Sequence, residues 1–114
     1  MNLRAKILQV VATDSTFERL TDRLGVAWVG KCIHCNARLR IELDGSTSIA
    51  TLEHIFPRSH GGDDSPENLA LACARCNHQK GVRLDNRSKG DPRLMEVVQA
   101  LRERRLARWR DPDP

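Results

Sequence analysis

Two cysteine pairs, Cys32-Ile-His-Cys35 and Cys73-Ala-Arg-Cys76, constrain this chain more than any other feature. Each pair is separated by two residues, the spacing of a metal knuckle, and two knuckles together make a four-thiolate cage for zinc. The chain has 114 residues with two Phe, two Trp and no Tyr, so its core is short of large side chains. A small core of that kind needs a staple, and structural zinc binds with apparent energies of roughly 10–16 kcal/mol. The same four cysteines as two disulfides would suit a secreted domain. The N-terminal apolar run is too short for a signal peptide and Asp14 closes it. Zinc and a reducing, cytoplasmic setting are therefore expected, and no run is long enough to span a membrane.

The formal net charge is +4. Its source is the segment 81–110, which carries nine basic residues (Arg83, Arg87, Lys89, Arg93, Arg102, Arg104, Arg105, Arg108, Arg110) against four acidic ones (Asp85, Asp91, Glu96, Glu103). Such a segment can neutralise phosphates, although a solvated helix face reads the same way.

Helical spacing of Leu3, Ile7, Leu8 and Val11, and of Phe17, Leu20 and Leu24, predicts one or two helices in residues 1–30. Ser15 with Glu18 fits a capping box and Gly25 a stop, with Trp28 a lid on the core. Alternation of Leu39, Ile41 and Leu43 predicts a strand over 38–43. A turn at Asp44-Gly45-Ser46 then returns the chain as a second strand over 48–55. Residues 57–66 read as a loop in which Gly61-Gly62 permits positive φ. Residues 69–71 form a third strand or a helix start, and a short helix begins near Ala74. Residues 82–90 read as a polar linker. Asp91-Pro92 starts a last helix whose stripe is Leu94, Val97, Val98 and Leu101, with Trp109 a further candidate; the arginines lie largely opposite. Asp111-Pro112-Asp113-Pro114 reads as a frayed end.

Between and after the knuckles stand Glu53, His54, Asn68, Asn77 and Lys80, a set suited to phosphodiester hydrolysis. That reaction needs an activated water, charge neutralisation at phosphorus and help for the leaving alkoxide. A histidine can take the proton from water near neutral pH, and a cation on oxygen ligands can serve the other two needs. His54 is the candidate base, with Glu53 and the Asn77 side-chain oxygen as candidate ligands. Neighbouring side chains on a strand point to opposite faces, so Glu53 and His54 converge only if the strand ends or bends there. Pro57 makes such an ending plausible.

The run Glu53-His54, Pro57, Gly61-Gly62, Asn68-Leu69 and Cys73-Ala-Arg-Cys-Asn77-His-Gln-Lys80 resembles the HNH endonuclease family over about fifty residues. The resemblance implies an α+β fold: a small ββα-metal core stapled by a four-cysteine zinc site and flanked by N- and C-terminal helices. The corresponding division is residues 1–30 as a helical extension, 31–82 as the nuclease core and 83–114 as a basic linker and helix. It implies an enzyme that hydrolyses DNA, with the double-stranded form expected, to 5′-phosphate and 3′-hydroxyl ends. His54 would be the general base and Asn68 the asparagine that braces the loop. Asn77 would be a ligand of a catalytic Mg²⁺ or Mn²⁺, with His78 as its substitute. Glu53 falls where most members carry Asp, so it ligates directly or through water. Cys32, Cys35, Cys73 and Cys76 would hold a separate, structural zinc. Arg58, His60 and Lys80 are candidate contacts to the nucleic-acid backbone. His34 is a spectator or a donor to the zinc site, and Asp63 and Asp64 are expected in solvent. A non-catalytic zinc-stabilised DNA-binding module is the alternative function, and monomer and homodimer are both compatible.

Overall fold

In the computed structural model, residues 1–112 are described; Asp113 and Pro114 of the expected frayed end lie outside them. The first helix, α1 (Leu3–Thr13), is capped by Asn2, whose side chain accepts from Ala5 N at 2.9 Å. No second helix follows. Residues 18–31 form a hairpin of β1 (Glu18–Asp22) and β2 (Gly25–Lys31), and β3 (Arg38–Ile41) joins β2 on its other side. The helical reading of Phe17, Leu20 and Leu24 fails because only Phe17 is buried, its ring lying where a Cβ on Gly30 would have to go. Leu20 and Leu24 face solvent, Leu20 on an edge strand exposed along its whole length. The Ser15/Glu18 capping box is replaced by Asp14, whose carboxylate accepts from Thr16 N (2.8 Å) and Thr16 Oγ1 (2.7 Å).

The first knuckle is the β2–β3 turn, with Asn36 at φ 64° and Cys32 N donating to Ala37 O. The predicted turn at Asp44-Gly45-Ser46 is present, Gly45 at φ 88° and Ser46 N donating to Asp44 Oδ1. The chain does not return onto β3, however. It crosses to a second sheet, where β4 (Ala50–His54) pairs antiparallel with β5 (Leu69–Cys73) in a register from Ala50↔Cys73 to His54↔Leu69. Helix α2 (Ala74–Lys80) follows β5 without a break, so β4, β5 and α2 form the ββα unit. The stretch expected as a linker begins with a π-helical turn, Gly81–Asp85. Asp91 then caps α3 (Pro92–Ala107), accepting from Arg93 N and Leu94 N. No helix among the described residues is long and apolar enough to cross a membrane.

Every residue of β5 from Leu69 to Ala72 is buried, as in a strand covered on both faces. Ile7, Val10 and Val11 of α1, Leu39 and Ile41 of β3, and Leu94, Val98 and Leu101 of α3 complete the core, with Trp28 packed against it.

The C-terminal arginines are not the free, outward face expected from the sequence. Arg105 is only 1 % exposed. It donates to Leu69 O (2.8 Å), Thr13 O (2.9 Å), Thr13 Oγ1 (2.7 Å) and Pro66 O (3.1 Å). Arg110 donates to Ala12 O and Val11 O. The last carbonyls of α1, which its own sequence leaves without a basic residue in the last turn, thus receive guanidinium donors from the other end of the chain. Arg104 donates to Ile33 O, and Arg108 to Lys31 O and Asn36 Oδ1, tying α3 to the first knuckle. Arg105→Met is expected to destabilise the fold by on the order of 3 kcal/mol, since several buried acceptors lose their donor together. Chemical denaturation measures it, and a change below about 1 kcal/mol would contradict the stapling role.

Candidate active site and metal centre

The Sγ atoms of Cys32, Cys35, Cys73 and Cys76 all lie within 4.8 Å of one another. A tetrahedral zinc with bonds of about 2.3 Å sets sulfurs about 3.8 Å apart, and Cys35 Sγ lies 4.0 Å from Cys73 Sγ. All four are free thiols. Backbone N–H groups already point at the sulfurs: His34 N and Cys73 N donate to Cys32 Sγ, and Cys76 N to Cys73 Sγ. Burial, followed by hydrogen bonds to Cys73 and Cys35, pushes the Cys76 thiol up to about 12. Four sulfurs so close together fit a soft divalent cation that collects their charge. The cage also joins the two sheets, because one knuckle ends β2 and the other ends β5.

At the other end of β4 the strand does not bend before it reaches the candidate base. The ladder runs through His54↔Leu69 and continues with Ile55 N donating to Asn68 O. Glu53 and His54 therefore face opposite sides. Glu53 is 1 % exposed, and His34 Nε2 donates to both its oxygens, at 2.6 Å and 2.9 Å. Direct metal ligation by Glu53 is thus not open as the molecule stands, and His34 is neither a spectator nor a free donor. On the same strand face as Glu53, Thr51 Oγ1 receives Asn77 Nδ2 at 3.0 Å, and Asn77 Nδ2 also reaches Leu52 O. The Asn77 side-chain oxygen is left for another partner. His78 is exposed.

On the opposite face, His54 Nε2 lies 2.6 Å from Asp64 Oδ1, and Lys6 Nζ of α1 lies 2.9 Å from Asp64 Oδ2. The hydrogen bond from His54, and then Lys6, hold the Asp64 carboxyl down to about 2, from an ordinary 3.8. An ionised carboxylate only accepts, so Nε2 carries the hydrogen. The lowered value means that the stability contributed by Asp64 is fully present above its unfolded pKa and is lost as pH falls toward about 2.

The 56–68 loop is held by Asn68. Its Oδ1 accepts from Phe56 N (2.8 Å), and its Nδ2 donates to Phe56 O (3.1 Å) and Asp63 O (2.8 Å). Gly61 holds φ 98°, and a Cβ on Gly62 would run into Phe56 O. Lys80, expected on the nucleic-acid backbone, is instead 3 % exposed. Its Nζ donates to His54 O (3.1 Å) and to Asp85 (2.9 Å), a structural cross-link that withdraws it from phosphate. His60 Nε2 donates to Asp85 O while its buried Nδ1 has no partner. Arg58 is exposed at the loop.

A ββα unit with paired knuckles, a strand-end histidine and an asparagine-braced loop can orient a base beside an anionic substrate. Residues 32–83 match the model of the HNH endonuclease family. No curated protein and no solved structure matches the chain. Within the matched segment, reading the sequence missed Asp64 as the partner of His54 and His34 as the partner of Glu53. Both are tertiary pairs. The only signal for the first is a glycine pair that lets the loop fold back; for the second, a histidine inside a knuckle. Lys6 lies outside the matched residues altogether.

Proposed function

We propose that the protein is a phosphodiester hydrolase acting on DNA, with His54 as the general base. The observation that carries this reading is the position of His54 at the end of β4 in the ββα unit, with one ring nitrogen engaged by a carboxylate and the other free of protein partners. In the ground state Asp64 orients the ring. A water beside the scissile phosphate then passes its proton to the free nitrogen as its oxygen attacks phosphorus. Asn68 keeps the loop under the ring by its three hydrogen bonds.

A hard divalent cation, Mg²⁺ or Mn²⁺, would be held by the Asn77 side-chain oxygen, with Glu53 joining only if His34 releases it; both lie on the strand face opposite His54, so the end of β4 has to turn for the ion and the base to meet at one phosphate. Such an ion supplies positive charge to the phosphoryl oxygens and to the departing oxygen. Zinc would be held by the four cysteines as a structural ion. With Arg104, Arg105, Arg108 and Arg110 engaged in the fold, the exposed cations left for the DNA backbone include Arg58, Arg83, Lys89 and Arg93. One chain carries one such histidine, so a monomer nicks and a double-strand break takes two chains or two encounters.

The test is conversion of supercoiled plasmid to nicked circle by zinc-loaded protein, with added Mg²⁺ or Mn²⁺ and with chelator. Nicking that requires the added ion is the expected result. Salt-dependent DNA binding without turnover under either ion would mark a binding module instead.

A further inference from the structure

We propose that Asp64, clamped by Lys6 of α1, is the positioning residue for His54, fixing the ring tautomer that leaves Nδ1 as the nitrogen facing the attacking water. The inference deepens the reading of His54 as general base and rests on it.

Three observations converge. The first is contact: Asp64 offers one oxygen to His54 Nε2 at 2.6 Å and the other to Lys6 Nζ at 2.9 Å, so each oxygen has its own partner. The second is the loop that delivers it. Asp63 turns away, accepting from Ser65 N and Ser65 Oγ, while its backbone carbonyl receives Asn68 Nδ2. Asn68 therefore fixes the residue next to Asp64, and its bracing of the loop acts on the ring through that neighbour. The third is protection. The side chains of His54 and Lys6 are 18 % and 21 % exposed, whereas that of Asp64 is 41 % exposed. A carboxylate as open as this would rotate into water without a cation on its far oxygen; Lys6 supplies that cation. His54 Nδ1 takes no protein partner and is not among the buried unpartnered atoms, so it is the nitrogen that water reaches.

The chemistry follows from the inventory of donors. An ionised carboxylate can only accept, which places the ring hydrogen on Nε2 and the lone pair on Nδ1. The same carboxylate would stabilise the imidazolium that forms when Nδ1 takes the proton of water, as an orienting acid does for a catalytic histidine elsewhere. The low pKa of Asp64, about 2, keeps it in the accepting form. An asparagine there could donate instead, and the ring would turn its lone pair toward the loop and away from water. Part of the device lies in α1, outside the segment 32–83.

Two readouts test this on the zinc-loaded chain of 114 residues. Long-range ¹H–¹⁵N correlation spectra, taken where imidazole is neutral, should show His54 as the Nε2–H tautomer in the parent and a shift toward Nδ1–H in Asp64→Asn. In single-turnover plasmid cleavage, Asp64→Asn should lose roughly 10–100-fold with DNA affinity not weakened, since the change removes a negative charge. In the His54→Ala background the same substitution should have no further effect, because the two act as one unit. Lys6→Met should move rate and tautomer in the same direction, and Lys6→Arg should restore both. An unchanged tautomer, equal rate losses in both backgrounds, or a faster Asp64→Asn would each overturn the proposal. Loss of activity in His54→Ala beside full activity in Asp64→Asn would overturn the clamp and leave the base reading standing. Full activity in His54→Ala would overturn both.

Discussion

His54→Ala is expected to lower the rate of DNA cleavage by roughly 10²–10⁴, the share a positioned general base contributes. The substitution leaves the scaffold almost untouched. His54 is the last residue of β4, and its ladder partner Leu69 bonds through backbone atoms that alanine retains. Lys80 Nζ donates to the His54 carbonyl, not to the ring, so that cross-link also survives. Asp64 loses its imidazole partner but keeps Lys6. Thermal unfolding of the variant should therefore fall within a few degrees of the parent, with zinc content unchanged. A kinetic loss without a stability loss separates a base from a packing residue. Rates within twofold of the parent would remove His54 from the chemistry and return attention to the Asn77 face.

What could be read from the sequence was what the chain settles locally. The two knuckles are fixed by spacing alone. The start of α3 is fixed by Asp91 ahead of Pro92, and the turn at Gly45 by a neighbouring aspartate. Strand pairing was not local. Residues 38–43 and 48–55 look like a hairpin because a turn lies between them, yet β3 pairs with β2, to which the knuckle Cys32–Cys35 already ties it. Turn length does not decide it, since β4 finds its partner in β5, a strand that lies beyond the 56–68 loop. The Phe17, Leu20 and Leu24 spacing is helical, but a three-residue coincidence carries little weight once Phe17 alone finds a place in the core. Arg105 shows the same limit from the polar side. Its type suggests a surface charge, while its position opposite the bare C-terminus of α1 makes it a buried donor to four acceptors. In the candidate site, His54 and Asn68 were legible by type and spacing. Asp64, Lys6 and the His34–Glu53 pair required the fold, because their partners are separated by 10, 58 and 19 residues.

The largest effect is expected from losing the cysteine cage. Cys73→Ser, or chelation of the parent, should unfold the chain outright rather than weaken it. A structural zinc contributes roughly 10–16 kcal/mol, as much as or more than the roughly 5–15 kcal/mol by which whole domains are stable. Position explains why little would remain. Cys32 is fully buried, and its sulfur accepts from Cys73 N across the two sheets. Ile33 N donates to Leu71 O beside it, and Arg104 and Arg108 of α3 attach to the carbonyls of the same turn. The cage is thus where the three-stranded sheet, the ββα unit and the C-terminal helix meet. With two small sheets and few aromatic rings, the apolar core alone has little to hold the three in register. Metal analysis should give one zinc per chain in the parent and none in Cys73→Ser, and circular dichroism of the latter should show no cooperative transition. His54→Ala should keep both the zinc and the transition, so the two variants separate the staple from the chemistry. A metal-free Cys73→Ser that still melts cooperatively would mean that the apolar core formed by α1, β5 and α3 suffices without the ion.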